Sequence, residues 1–183
     1  MSPADWGAAA DRTAHRLARA SLAIEARLRA PSGILARRPT ESGAWSALET
    51  AEHAALVNHH LLLLVEKIAE RARKKRSEGV APPAEVSPID DLEKLSARSF
   101  AWESPEHMLP AGLATAPEIA RALAGQRRRC LALLREMRDG TGALHAISMS
   151  VVGSKLDLYQ YAALIALHME RHVRQMDRAM GAG

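Results

Sequence analysis

Cysteine occurs once in this chain of 183 residues, and aromatic side chains make up only 3% of it. The lone Cys130 excludes an internal disulfide and suits a reducing compartment. With Leu131, Leu133 and Leu134 beside it, it reads as a packed helix residue rather than a nucleophile. The hydrophobic fraction, 48%, is concentrated in Ala and Leu, a composition that favours helix over sheet. Apolar runs such as Leu61 to Val65 fall far short of the roughly 20 residues that a bilayer requires. The N-terminus, MSPADWGAAADRTAHR, shows no basic segment followed by an apolar core and a cleavage site. A cytoplasmic protein with no membrane segment is expected.

A concentrated patch of one charge is also missing. The net charge of +4 arises from 25 Lys and Arg against 21 Asp and Glu, spread along the chain, so a nucleic-acid footprint is not expected. One basic run stands out, Arg71, Arg73, Lys74, Lys75 and Arg76, directly after an apolar helical stretch. Cations there complement the negative end of a helix dipole. Arg127, Arg128 and Arg129 interrupt another amphipathic stretch and are expected to face water.

What the chain does have is four amphipathic stretches with capping chemistry at their starts, within one domain spanning residues 1–183. The first is expected from about Pro3, with Ser2 as cap, to Arg29, where Pro31 and Gly33 end the pattern. The second begins at Ser46, with Glu49 as capping-box partner and Trp45 just before the cap, and runs to about Arg76. Five prolines between Ser77 and Ala114 indicate a long crossover, with room for a short helix over 91–100. The third helix starts around Thr115, Pro117 and Glu118 and ends near Asp139-Gly140. The fourth opens at Asp157, with Gln160 at the capping-box position and Leu156 and Tyr161 spaced as a hydrophobic staple, and continues to about Met180. Only 146–152 offers a short strand candidate. The expectation is an all-α four-helix bundle with a long crossover between helices two and three.

The chemistry-bearing feature is a histidine pair, His168 and His172 in LHMERHVRQ, with His53 far upstream in ETAEHAAL. Residues four apart on a helix lie one above the other, so both rings reach the same point beside it. At about 100° per residue, Leu158, Tyr161, Ile165, His168, His172 and Met176 share one inward stripe. The same arithmetic aligns Ser46, Glu49, His53, Val57, His60 and Leu64 on the second helix. Spacing alone leaves two readings open: core histidines satisfied by hydrogen bonds, or three imidazoles sharing one metal ion. Three neutral imidazoles leave coordination positions for water or substrate. A zincin helix would need glutamate directly after the first histidine, but Met169 stands there, and Glu170 lies about 200° around from His168. Di-iron bundles need several inward carboxylates, and only Glu49 is placed for that.

Three stretches carry a resemblance: Trp45, Ser46, Glu49 and His53; the approach HAISMSVVGSKLDLYQ; and LHMERHVRQ with His168, His172 and Gln175. In order and distance they resemble the DinB/YfiT-like superfamily of bacterial metal-binding four-helix bundles, from about helix one through Met180. The resemblance implies a left-handed up-down-down-up bundle, frequent dimers, and His53, His168 and His172 as ligands of a divalent ion, commonly nickel or zinc. It implies a metal-dependent hydrolase or a low-molecular-weight-thiol S-transferase acting on a small molecule, with Glu49 as the nearest proton-transfer group. The alternative is a non-catalytic, metal-stabilised bundle that binds a small molecule or a partner under stress. A polar pocket opening at the histidines would favour catalysis, and their burial by apolar side chains would favour the structural role. His60 could line the cavity and His145 could close over it; His59 points to another face, and His15 and His107 read as surface residues.

Overall fold

A computed structural model of the chain describes residues 5–41, 43–93, 105–150 and 152–181. Four long helices dominate: α1 (Trp6–Arg27), α3 (Ala47–Ser77), α5 (Ala116–Glu136) and α6 (Leu158–Met180), with short helices α2 (Ser32–Ala36) and α4 (Asp90–Glu93) between them. Helix α1 is capped by Asp5, whose side chain accepts from Ala8 N at 2.8 Å, so it starts later than a cap at Ser2 would have placed it. The starts of α3 and α6 carry the expected capping boxes, Ser46 with Glu49 and Asp157 with Gln160, and α5 starts at the expected Thr115, which forms one with Glu118. Helix α5 ends at Glu136, a few residues before the expected Asp139-Gly140. The expected helix over 91–100 is described only as α4, because 94–104 lie outside the described residues. The strand candidate is half of a small antiparallel hairpin, β1 (Ile147–Met149) with β2 (Ser154–Leu156), in which Ile147 pairs with Leu156. Periodicity missed its second strand because the sequence SKL is too short to alternate visibly.

Side-chain ion pairs show how the long helices run. Arg16 and Arg27 of α1 pair with Glu170 and Asp177 of α6, so these two helices are parallel. Arg127 with Glu25, and Arg138 just beyond α5 with Asp11, make α5 antiparallel to α1. Arg129 with Glu66, and Arg73 with Glu136, make α3 parallel to α5. The result is up-down-down-up, and parallel α3 and α5 require a connection that returns along the whole bundle. Arg127 is half-buried against Glu25 and does not face open water, because its helix turns that position toward α1. The basic run of α3 is likewise tied down: Arg76 reaches Asp139 at 3.6 Å, and Lys75 Nζ donates to Leu144 O at 2.8 Å.

The crossover is pinned at both ends. At one, Trp6 Nε1 donates to Pro83 O at 3.1 Å, Ser87 donates to the buried Asp157 carboxylate, and Gln160 Nε2 donates to Pro88 O at 2.8 Å. At the other, Gly112 N donates to Glu52 Oε2 at 2.8 Å. Buried Ala, Leu and Ile side chains from α1, α3, α5 and α6 fill the interior, with Tyr159 and Tyr161 among the largest buried groups. Among the described residues, no helix is long and apolar enough to cross a membrane.

Two glycines test this packing in opposite directions. Gly140 has φ 89°, and a Cβ there would lie 2.6 Å from the Trp6 ring, which also packs against the Tyr159 ring at 5.0 Å. Gly140→Ala is expected to destabilise the fold by about 2–4 kcal/mol, from backbone strain together with displacement of Trp6. Gly125, inside α5, has only the tip of Arg128 nearby at 3.9 Å. Gly125→Ala is expected to stabilise by about 0.5–1 kcal/mol. Denaturant midpoints of the two variants, moving in opposite directions, check both.

Candidate metal centre

The capping box at Ser46 fixes the start of α3 and carries His53 two turns into the bundle, where its ring meets that of Trp45 at 4.8 Å. Helix α6, entering from the opposite end, brings His168 and His172 to the same level. The three rings lie 4.3–5.5 Å apart, centre to centre. Each offers one nitrogen, and these atoms lie within 4.8 Å of one another. Their exposures are 3%, 2% and 5%, so water does not solvate the rings from most directions.

Hydrogen bonds decide which nitrogen each ring presents. A carbonyl oxygen can only accept, so the contact of 2.7 Å between His53 Nδ1 and Met108 O puts the proton on Nδ1 and leaves a lone pair on Nε2. His172 Nδ1 donates to Gln175 Oε1 at 3.0 Å, with the same consequence. His172 Nε2 then faces His168 Nε2 at 3.0 Å. Two lone pairs do not face each other at that distance without a proton or a cation between them. Metal–nitrogen bonds of about 2.0–2.1 Å meeting at a right angle place their nitrogens about 3.0 Å apart. The donor set and its spacing therefore fit a divalent ion, and Met108 and Gln175 are the outer partners that orient two of its ligands.

The rings are held neutral. Burial pushes the His53, His168 and His172 imidazoles below their ordinary value, and mutual proximity lowers the last two further, His172 to about 3 despite its bond to Gln175. A cavity of about 230 Å³ opens beside them, bounded by Gly43, Ala44, Trp45, Arg171 and Gln175. No carboxylate lines it among the described residues.

The expected Glu49 lies elsewhere in the arrangement. Its carboxylate accepts from Ser46 N at 2.9 Å and from Arg38 Nε at 3.0 Å. Burial pushes this carboxyl upward, but the Arg38 and Ser46 hydrogen bonds outweigh it and hold it below the usual range. His60 is half-buried against the rings of His59 and His107, at 5.6 and 5.0 Å, not beneath the histidine centre. The stripe arithmetic failed there because His53 sits on the flank of the buried face of α3. That face is centred on Ala54, Asn58, Leu61 and Val65, so the stripe drifts outward toward Leu64. His145 does not close over the pocket: it sits among Lys75, Arg71 and Lys155, near the far end of α3. Twenty-two residues of helix separate Lys75 from His53, about 33 Å. His15 is exposed, Glu170 turns to Arg16 as its angle required, and Cys130 is buried, its thiol pushed up to about 12. Two contributions went unread in the sequence, the Met108 carbonyl, which carries no side-chain signal, and Arg171, Arg174 and Arg178, whose spacing of three and four does carry one.

A family model described as the DinB superfamily matches residues 5–176. No curated protein and no solved structure matches the chain.

Neutral histidines make the metal-free fold sensitive to acid. The unfolded chain takes up these protons near pH 6.5, while the folded one resists, to about 3 for His172. Their contribution is complete above about 6.5 and is lost as pH falls from there toward the folded values. Chelator-treated protein is expected to melt several degrees lower at pH 5 than at pH 7.5, at about 2–4 °C per kcal/mol for a chain of this size. The slope should be shallower in His172→Gln. Equal slopes in scanning calorimetry would contradict this account.

Proposed function

The chain belongs to the DinB superfamily, and from that premise and the three-imidazole geometry we propose that it is a divalent-metal-binding enzyme, a hydrolase or a low-molecular-weight-thiol S-transferase. His53, His168 and His172 are the ligands, and nickel or zinc, both among the metals that imidazole suits, is the ion. The single observation that carries the reading is the convergence of three neutral ring nitrogens within 4.8 Å beside an open cavity. A divalent ion held by uncharged ligands would supply its full double charge, for polarising a carbonyl or acidifying water or a thiol.

The protein's own groups do the rest. Met108 and Gln175 hold the His53 and His172 protons on Nδ1, so that Nε2 of each ring stays available. Trp45 covers His53 and, with Ala44, walls the cavity. Glu49 is already ionised and engaged with Arg38, so its part is to position Arg38 and the start of α3. The substrate is a small molecule, joined by a thiol cosubstrate in the transferase form. The reading further includes a homodimer, and work in the cytoplasm in keeping with a single cysteine. One observation favours the non-catalytic alternative, a metal-stabilised binding bundle: no carboxylate lines the cavity among the described residues, so no side-chain base stands ready.

Native protein is expected to carry about one equivalent of divalent metal by elemental analysis, and His172→Ala to lose it. Gln175→Ala should bind the metal about 10–100-fold more weakly, since it frees the ring that Gln175 orients. Full metal retention by His172→Ala would remove the ligand assignment. A panel of esters, amides and thiol-acceptor pairs offered to the metal-loaded protein then separates the enzyme from the binding bundle, the latter giving no turnover with any of them.

A further inference from the structure

A second, larger cavity of about 460 Å³ adjoins the histidine cavity, and Ala44, Trp45, Arg171 and Gln175 line both. The two are neighbours along the C-terminal half of α6, and the larger lies within the size range of small-molecule sites. Its wall is basic: Arg171, Arg174 and Arg178 face it, and Glu41 is the one carboxylate lining it among the described residues. The three arginines are spaced three and four apart on α6, which places them along one side of the helix. Burial chiefly, and then the charges of the nearby Arg174 and Arg178, lower the Arg171 guanidinium below its usual value.

Resting on the metal-site reading, we propose that this recess holds a small organic anion, whose carboxylate or phosphoryl group docks on Arg171, Arg174 and Arg178 while its other end reaches the three-histidine centre. Guanidinium groups present paired N–H donors that match the two or three oxygens of such groups. An anion seated there also offsets the mutual repulsion of Arg171, Arg174 and Arg178. Gln175 joins the two halves, since it lines the basic recess and holds His172 in its ligand tautomer. The arginines occupy the strip of α6 beside the buried histidine stripe, about 100° around the helix, with Gln175 between the two.

The test is calorimetric titration at low ionic strength with inorganic phosphate, malonate and, as the uncharged control, malonamide. Each is added to chelator-treated and to zinc-loaded protein. Wild type is expected to bind phosphate, malonate or both, the preference telling phosphoryl from carboxylate, and to ignore malonamide in either metal state. Arg174 and Arg178 are both exposed, so Arg174→Gln/Arg178→Gln should keep its melting temperature and metal content. Its anion affinity should fall on the order of tenfold or more. If the double variant folds poorly, Arg178→Gln alone reads the same effect at smaller amplitude. Anion binding that persists in His172→Ala supports the recess even if the metal assignment falls. Metal binding without saturable anion binding overturns the recess and leaves the metal reading intact. An anion response indifferent to the arginines, or seen only with zinc loaded, also overturns it.

Discussion

Where two imidazole protons sit governs what this end of the bundle can do. A histidine ring buried without partners is a liability, since each unsatisfied polar atom costs about 1–3 kcal/mol. The fold answers with two acceptors that cannot donate in the geometry found, the Met108 carbonyl and Gln175 Oε1. Each draws a proton to Nδ1 and turns the opposite nitrogen toward the centre. Burial keeps the rings uncharged, so the three do not repel one another as cations would. Burial secures neutrality and the two acceptors secure tautomer and convergence, so releasing either acceptor would free the ring that it orients.

That arrangement makes the crossover part of the site. With α3 and α5 parallel, the chain must travel back along the bundle, and on the way it lays Met108 against His53. Its far end is fastened to the start of α6 through Ser87 and Pro88, so the helix that brings His168 and His172 and the segment that orients His53 share an anchor. The ion pairs along the helices contribute differently. Exposed pairs are worth about 0–1 kcal/mol each, so stability comes chiefly from the apolar interior. The pairs of Arg16 and Arg27 with α6, and of Arg127 with α1, discriminate between directions and registers, because a bundle threaded otherwise would set like charges opposite one another.

The sequence was most informative where a local rule fixed a local outcome. Two capping boxes, and Thr115 with Pro117 and Glu118, marked three helix starts almost to the residue, and the spacing of His168 and His172 placed both rings on the buried side of α6, which is buried widely enough to tolerate phase error. Legibility declined wherever a helix presented a flank. On α3 the stripe drawn through His53 drifts off the buried face within two turns, which is why His60 was set in the wrong place. Sequence proximity misled for His145, because the hairpin returns it to the far end of α3. Glu49 shows a third limit. Its helical phase was read fairly, but Arg38, eleven residues earlier, claims its charge, and a contact across a loop leaves no periodicity. The Met108 carbonyl was beyond reach altogether, since a backbone group at a bend has the same identity in every residue.

The electrostatics of the recess set a condition on any ion at the histidines. Neutral ligands do nothing to offset a divalent charge, and Arg171, which borders the histidine cavity, adds more of the same sign. A cation binding there meets repulsion that only water or an anion can reduce. An anion seated on the arginines meets the opposite situation, gaining attraction from the ion as well as from the guanidinium row. Each ligand therefore improves the site for the other, and by linkage the two gains are equal in free energy. The arrangement discriminates against uncharged small molecules, which share in none of that coupling, and it does so without a single carboxylate among the proposed ligands. A centre built with acidic ligands would hold its ion more tightly alone and would lose this dependence on what lies beside it.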